Sequence, residues 1–118
     1  MTKASGFGAG ARLKDGGEFK RVFEQGGKTV GRFLILWHRV GSARRSPRLG
    51  LCVSSKAGGS VRRNRLKRLI RETFRLRRAE LPAGLELVAY PRAGCPWKGR
   101  ADAQREILDL LRRAGHLR

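Results

Sequence analysis

The residues of this sequence best suited to chemistry are the cations of one segment, SVRRNRLKRLIRETFRLRR, which covers residues 60–78. The planar guanidinium of arginine can hold a phosphate through two hydrogen bonds, and lysine offers a compact charge to the same group. Glu72 is the one acidic residue of the segment. So many cations with so few acidic partners favour binding of a polyanion over acid–base or metal chemistry.

Two faces emerge when this segment is placed on a helix of about 3.6 residues per turn. The apolar face, which we expect to pack on a core, contains Leu66, Leu69, Ile70, Thr73, Phe74 and Leu76. The opposite face carries Asn64, Lys67, Arg68, Arg71, Arg75 and Arg78. Arginines also crowd the first turn, where the helix dipole makes each exposed cation unfavourable by roughly 0.3–1 kcal/mol. A charged helix face is commonly only solvated, but solubility is better served by mixed signs, so the pattern indicates nucleic-acid binding.

The whole chain has the same bias, because its 118 residues include 28 Lys and Arg against 9 Asp and Glu, a net charge of +19. This length fits a single domain. No apolar run approaches the ~20 residues that span a bilayer, and the Gly-, Ala- and Ser-rich residues 1–11 lack the apolar centre of a secretory signal. We therefore predict a cytoplasmic nucleic-acid-binding protein, with an anionic membrane surface as the weaker alternative.

Residues that could catalyse a reaction form no recognisable constellation, so no catalytic residue is predicted. His38 and His116 lie outside any Ser/His/Asp or Cys/His setting. Cys52 and Cys95 lack the spacing of a zinc site, and Cys52, within an apolar run, is expected to be a buried thiol. Two-metal nuclease chemistry needs clustered carboxylates, whereas those of this chain are dispersed. Three of them are expected on the solvated side of the last helix: Asp102, Glu106 and Asp109.

Periodicity and turn residues predict one α+β domain, residues 12–118, after a flexible tail of residues 1–11. A short helix of about ten residues follows Asp15, which can cap it, and ends at Gly26 and Gly27. The further elements are a strand over 32–40, a strand over 48–54 that pairs antiparallel with it, a loop over 55–60, a helix over 61–80, a strand over 86–90 and a helix over 101–114. This order indicates a sheet with helices packed against it.

Phe19 and Phe23 form an i, i+4 pair on the first helix that has two interpretations. Such pairs usually belong to a core, but single-stranded RNA is commonly held on exposed aromatics beside basic residues, and Lys20 and Arg21 flank Phe19. If one of them contacts RNA, we expect it to be Phe19, with Phe23 serving both roles. The environment of Trp97 is left open.

The segment SSKAGGSVRRNRLKRLIRETFR, residues 54–75, closely resembles the signature of the protein subunit of bacterial ribonuclease P, a Ser-Lys-Lys loop, a glycine and an Arg-Asn-Arg helix. The stretches ARLKDGGEFKRVF, RLGLCVS and LELVAYPRAG are similar to the family's first helix, the strand before the loop and the last strand. The resemblance covers about residues 11–114. It implies an α/β sandwich in the order αβββαβα, with a central sheet and a left-handed crossover, the ribosomal protein S5 domain 2-like fold.

By this resemblance the chain is the non-catalytic protein subunit of an endoribonuclease that removes the 5′ leader of precursor tRNA. The implied partners are the ribonuclease P RNA, which performs the chemistry with Mg²⁺, and the precursor tRNA. No membrane and no obligate protein partner are expected.

The resemblance also implies roles for individual residues. Contact with the catalytic RNA falls to Arg62, Arg63, Asn64, Arg65, Lys67, Arg68 and Arg71. The leader would lie in a cleft between the sheet and the first helix, at Phe19, Phe23, Trp37, Ser54, Lys56 and Arg92. The sequence departs from the family pattern at Ser55, where the first Lys of Ser-Lys-Lys is expected, at Gly59, where Asn is usual, and at Trp37, where Tyr is common.

Two alternatives come from other classes of protein. A structural ribosomal protein, or another rRNA-binding protein, would share the charge and the size but has no need of this loop–helix signature. A cationic membrane-active or calmodulin-binding helix would need a bulky exposed apolar face, which the first and last helices lack.

Overall fold

The computed structural model describes residues 11–13 and 16–118 and contains three α-helices and four strands within those ranges. In chain order these are α1 (Gly16–Gln25), β1 (Gly27–Val30), β2 (Leu34–Val40), β3 (Arg48–Leu51), α2 (Ser60–Arg77), β4 (Leu85–Pro91) and α3 (Arg100–Arg113). The order αβββαβα implied by the family resemblance is confirmed. The predicted tail and the cap at Asp15 lie outside the described residues, except that Ala11, the last residue of that tail, is buried.

The strands form one sheet in the order β1-β2-β4-β3. β1 pairs antiparallel with β2, β2 pairs antiparallel with β4, and β3 pairs parallel with β4. The predicted antiparallel pairing of residues 48–54 with the first strand is therefore wrong, and β3 ends at Leu51. β4 has the sequence LELVAYP and is buried along almost its whole length, and a strand apolar on both faces belongs in the middle of a sheet, between β2 and β3.

α2 and α3 cover one face of the sheet, and α1 covers part of the other. The main core joins side chains of both long helices to the sheet, among them Leu34, Leu36, Leu66, Ile70, Leu85, Leu87, Leu110 and Leu111. A smaller cluster of Leu13, Val22 and Val88 lies beneath α1. None of the helices within residues 11–13 and 16–118 has the length and apolar character needed to cross a bilayer.

The apolar face predicted for the long helix is buried, with one exception. Leu66, Leu69, Ile70, Thr73 and Phe74 are all buried. Leu76 is 47% exposed, because it lies at the edge of the face, roughly 80° around the helix from its centre, where contact with the sheet ends.

Cys52 is exposed, contrary to the prediction of a buried thiol. Its backbone N–H still donates to the carbonyl of Ala89, so the chain continues alongside β4 after β3 ends. Side chains alternate along an extended chain, which puts Cys52 on the same face as Gly50, against which Phe19 of α1 packs. The apolar run around Cys52 therefore does not indicate burial at this position, which lies beyond the cover of α1.

A buried network of ion pairs attaches α1 and three strands to one another. Arg48 and Glu86, each only 4% exposed, are 2.5 Å apart across β3 and β4. Glu18 of α1 lies 2.6 Å from Arg48, and Arg39 of β2 lies 2.9 Å from Glu86. Burial alone would lower the pKa of Arg48, but the hydrogen bonds and charges of Glu18 and Glu86 raise it, so the guanidinium stays charged.

Glu106 of α3 holds the turn between β1 and β2, contrary to the prediction that it faces solvent. Its carboxylate accepts hydrogen bonds from the backbone N–H groups of Phe33, at 2.7 Å, and Leu34, at 3.0 Å. It also accepts from the indole N–H of Trp97, at 3.1 Å, and Trp97 is buried. The helical position of Glu106 could not reveal this role, because the donors belong to a turn and a loop that fold over α3.

We expect Glu106→Ala to lower the free energy of unfolding by about 2–4 kcal/mol, because three donors lose their acceptor together. Glu106→Gln should lower the free energy of unfolding less, since the carbonyl oxygen of the glutamine can still accept from the backbone N–H groups. Urea denaturation measures both variants. Asp109→Ala, on the exposed side of α3, is the matched control and should stay within about 0.5 kcal/mol of the wild type. Equal stability of Glu106→Ala and the control would show that these hydrogen bonds do not hold the turn.

Candidate nucleic-acid interface

The loop before α2 is shaped by its own short-range hydrogen bonds. Ser54 accepts a hydrogen bond from the N–H of Lys56, at 3.3 Å, at the start of a single 3₁₀ turn over Ser55–Ala57. Gly58 follows with φ of 133°, a conformation that glycine adopts without strain. The loop thus reverses the chain and leaves the Lys56 side chain exposed beside the start of α2.

Several cations of α2 and of the turn that follows it are hydrogen-bonded or ion-paired near the two ends of the helix. Arg62 donates to the carbonyls of Cys95 and Trp97, and Arg65 donates to the carbonyl of Lys98. At the other end of the helix Arg75 pairs with Glu72 at 2.9 Å, and the segment after it is tied back by Arg77 to Glu80 and by Arg78 to the carbonyl of Pro47. Between these ends lies a surface that we call the basic face: Asn64, Lys67, Arg68 and Arg71.

The basic face is open to solvent. Asn64 and Arg68 are exposed, and Lys67 and Arg71 are half-buried. Arg63, the remaining predicted contact, is half-buried, and its Nε atom is buried without a hydrogen-bond partner among the described residues. No described carboxylate lies within ion-pair distance of Lys67 or Arg68. Lys67 and Arg68 are therefore available to bind an external anion.

The shortage of acidic partners extends over the described part of the chain. Of the nine acidic residues, all but Asp15 are described, and each of these eight makes an internal ion pair or hydrogen bond. Glu18 and Glu86 pair with Arg48, Glu24 with Lys20, Glu72 with Arg75, Glu80 with Arg77, Asp102 with Arg105 and Asp109 with Arg113, while Glu106 accepts three hydrogen bonds. The protein therefore contains little negative charge that could neutralise the basic face.

A groove of about 870 Å³ continues the basic face toward the start of α3. Its polar lining from α2 consists of Asn64, Arg65, Arg68 and Glu72, and Gly99 and Arg100 line it at the start of α3. Arg100 was not identified from the sequence as part of this surface. A basic residue was visible at the start of the last helix, but nothing in the pattern indicated that the helix begins beside α2.

The second predicted surface lies on the opposite face of the sheet, beside α1. Phe23 is 39% exposed, and its ring meets the edge of Trp37 at 5.0 Å between centroids and 88° between planes. Tyr90 of β4 lies 6.2 Å further along, at 52° to Trp37. Phe23, Trp37 and Tyr90 together form a row of rings that we call the aromatic platform.

Phe19 contributes less to this surface than the sequence suggested. Its ring is half-buried and packs over Gly50, where an added Cβ would lie 2.6 Å from the ring. Phe23 is the more exposed of the pair, so solvent exposure favours Phe23 over Phe19 as the ring accessible to a ligand. The helix places both on one side but does not reveal which of them the sheet covers.

Two residues at this surface, one of the platform and one beside it, were not identified from the sequence. Tyr90 lies two residues after Val88 on β4 and therefore shares the face that meets α1, but this orientation could not be read without the strand order. Lys28 of β1 is paired with Trp37 in the register of the hairpin, and its Nζ atom lies 5.9 Å from the centre of that ring. An ammonium near an aromatic ring is favourable and adds positive charge where bases would stack.

The remaining predicted cleft residues lie at one end of the sheet. β3 and β4 are parallel, so Ser54 and Lys56, which follow β3, lie at the same edge as Arg92, which follows β4. Arg92 is held there, because its N–H donates to the carbonyl of Phe33 at 2.9 Å and its guanidinium to that of Gly31 at 3.1 Å. The structure thus places cations at the end of the aromatic platform.

The histidines lie away from both surfaces, and the thiol of the second cysteine is buried. His38 contacts Thr29 at 3.0 Å and His116 at 3.1 Å, on the side of the sheet that α3 covers. Burial lowers the pKa of both imidazoles, which favours their neutral forms. Cys95 is buried, and burial raises the pKa of its thiol. Among residues 11–13 and 16–118, no group of three or more His, Cys, Asp or Glu side chains could hold a metal ion.

Comparison with known proteins identifies the family. The family model described as Ribonuclease P matches residues 7–115 of the chain. The ribonuclease P protein component of Clostridium acetobutylicum is 35% identical over 105 residues, which is 88% of this chain and 88% of that protein. The corresponding protein of Brevibacillus brevis is 33% identical over 103 residues, covering 87% of this chain and 82% of its own length.

Comparison with solved structures supports the same family. The RNase P protein of Staphylococcus aureus superposes with a TM-score of 0.81 at 25% identity, covering 92% of this chain and 98% of that one. The RNase P protein of Thermotoga maritima gives a TM-score of 0.75 at 30% identity, covering 86% of this chain and 96% of that one. These matches do not favour the alternative of a structural ribosomal protein. The chain belongs to the ribonuclease P protein family and functions in tRNA processing.

Proposed function

We propose that this protein binds the catalytic RNA of ribonuclease P through the basic face and holds the single-stranded 5′ leader of precursor tRNA on the aromatic platform. The observation that carries the proposal is the presence of two chemically different surfaces on opposite faces of one sheet. One surface offers cations on a helix, and the other offers rings with cations at their end. A structured RNA suits the first surface and an unpaired strand suits the second.

The basic face is suited to phosphates because its cations lie along one side of a rigid helix. The deep major groove of an RNA helix cannot be entered by side chains, so folded RNA is bound largely through phosphates, 2′-hydroxyls and overall shape. Each phosphate that a cation neutralises releases a counterion, which makes the affinity depend on salt. The basic face and its groove, lined by Arg65, Arg68 and Arg100, support contacts of this kind.

The aromatic platform is suited to unpaired bases. Stacking of a base on an aromatic ring is worth about 1–3 kcal/mol and tolerates any sequence, because every base has a flat face. Phe23 and Trp37 present partly exposed rings, and Lys28, Lys56 and Arg92 supply positive charge for the backbone between bases. A leader varies in sequence between tRNAs, which fits recognition through stacking.

The cleavage chemistry, in this proposal, belongs to the RNA and to Mg²⁺ held by that RNA. Mg²⁺ prefers oxygen ligands, chiefly carboxylates and phosphates. The eight described carboxylates of the protein are engaged by internal partners, so these residues do not fit a site for the ion. The phosphates of the catalytic RNA are the better ligands, and the protein contributes by binding the substrate.

We expect the purified protein alone to leave a precursor tRNA intact in Mg²⁺. The cognate RNA with Mg²⁺ should release the 5′ leader, and adding the protein should increase the rate at low salt. Gel analysis of an end-labelled substrate measures all three reactions, with mature tRNA as the control substrate. Cleavage by the protein in Mg²⁺ without RNA would contradict the proposal.

Replacing Lys67, Arg68 and Arg71 together with Gln should flatten the slope of log K against log salt for the catalytic RNA by roughly 2–3, about one unit for each lost phosphate contact. Filter binding over a series of salt concentrations measures the slope. The matched control replaces Arg112 and Arg113 of α3 with Gln and should change the slope much less. Equal changes would mean that binding reflects diffuse charge rather than a docked helix face.

Phe23→Ala should weaken binding of a leader-bearing tRNA by about 1–3 kcal/mol, the value of one stacked base, while mature tRNA binds as before. Phe19→Ala should instead lower the melting temperature, since its ring packs over Gly50. Affinities for both substrates and thermal melts separate the two effects. Leu76→Ala, at a comparably exposed apolar residue, is the control. If Phe23→Ala weakens binding of both tRNAs equally, the leader does not bind on the aromatic platform.

A further inference from the structure

The loop between β4 and α3, residues 92–99, is attached to the first turn of α2 by two arginines. Arg62 donates from both terminal nitrogens of its guanidinium, to the carbonyl of Trp97 at 3.0 Å and to that of Cys95. Arg65 donates to the carbonyl of Lys98. The guanidinium of Arg62, the first arginine of α2, is thus hydrogen-bonded to neutral backbone carbonyls of the protein itself.

The Arg62 side chain packs against the protein rather than extending into solvent. Its side chain is half-buried, and its stem packs against Gly58, where an added Cβ would lie 2.8 Å from Cγ. The guanidinium has a planar arrangement of donors, so two carbonyls that face it fix both its place and its orientation. A lysine at this position could donate from one nitrogen only.

The loop that Arg62 holds leads directly to the cleft. The N–H of Cys95 donates to the carbonyl of Arg92 at 3.1 Å, so the carbonyl group bound by Arg62 belongs to the same tight turn as Arg92. Arg92 in turn is bound to the carbonyls of Phe33 and Gly31. On its other side the loop is fixed by the hydrogen bond from Trp97 to Glu106. A short series of hydrogen bonds therefore joins the first turn of α2 to the end of the aromatic platform.

We propose that Arg62 is a positioning residue and not an RNA contact: it fixes the 92–99 loop, and with it Arg92, relative to the basic face. The proposal rests on the proposed function, since it supposes that the basic face binds the catalytic RNA and that Arg92 lies where the leader binds. A leader on the platform then takes a defined position relative to the catalytic RNA on α2. Loss of Arg62 frees the loop, so the preference for leader-bearing substrate falls while the contact with the catalytic RNA persists.

The test compares three variants of the full chain: Arg62→Gln, Arg62→Lys and, as the matched control, Arg68→Gln, which removes one charge from the basic face of the same helix. Two quantities are measured. The first is the salt dependence of binding to the catalytic RNA. The second is the ratio of affinities of the assembled protein–RNA complex for leader-bearing and mature tRNA.

Arg68→Gln should flatten the salt slope by about one unit and leave the leader preference intact. Arg62→Gln should keep the slope of the wild type and lower the leader preference about five- to tenfold, the loss expected for one contact. Arg62→Lys should lower the leader preference equally, because the retained positive charge does not replace the two hydrogen bonds of the guanidinium. Hydrogen exchange should also become faster at the amides of Arg92 and Cys95 in both Arg62 variants, but not within α2.

The proposal is overturned if Arg62→Lys keeps the wild-type leader preference, or if Arg62→Gln flattens the salt slope as much as Arg68→Gln, since Arg62 would then act through its charge on RNA. Failure of the proposed function has a different signature. In that case Arg68→Gln leaves the slope unchanged and the wild type shows no preference for the leader.

Discussion

Repulsion among cations is the constraint on which this structure depends. The chain carries 28 basic and 9 acidic residues, so few carboxylates are available to offset this repulsion. Glu86 and Glu18 surround the buried Arg48 and join α1 to the sheet, and Glu106 holds the turn between β1 and β2 to α3. The remaining acids pair on the surface with neighbouring cations, where such pairs contribute little to stability. The excess positive charge is left to be neutralised by RNA.

The two proposed RNA surfaces share one edge of the sheet although they lie on opposite faces. Because β3 and β4 are parallel, the loop into α2 and the loop out of β4 meet at the same end. Arg62 ties these loops together, so the basic face and the aromatic platform belong to one rigid unit. In the proposed function, this arrangement holds an unpaired strand in a fixed relation to a folded RNA.

Local patterns in the sequence predicted the helices and the basic face well. The apolar stripe of α2 is dense enough that Leu66 and Ile70 fix its buried side, and the cations then follow on the other side. The sequence did not predict β1, whose residues GKTV have no apolar alternation, or the partner of β3, because the burial of β4 decides the strand order. The hydrogen bonds of Glu106, the exposure of Cys52 and the hydrogen bonds of Arg62 to the 92–99 loop were also missed, since each depends on a segment distant in sequence. The place of Tyr90 in the aromatic platform was missed for the same reason.

The most direct test of this account is a high-resolution cryo-EM structure of the protein with its catalytic RNA and a leader-bearing precursor tRNA. The account predicts RNA phosphates beside Lys67, Arg68 and Arg71, at least one leader base stacked on Phe23 or Trp37, and Arg62 still bound to the carbonyls of the 92–99 loop. A leader that passes along α2, or catalytic RNA that lies over the aromatic platform, would contradict it.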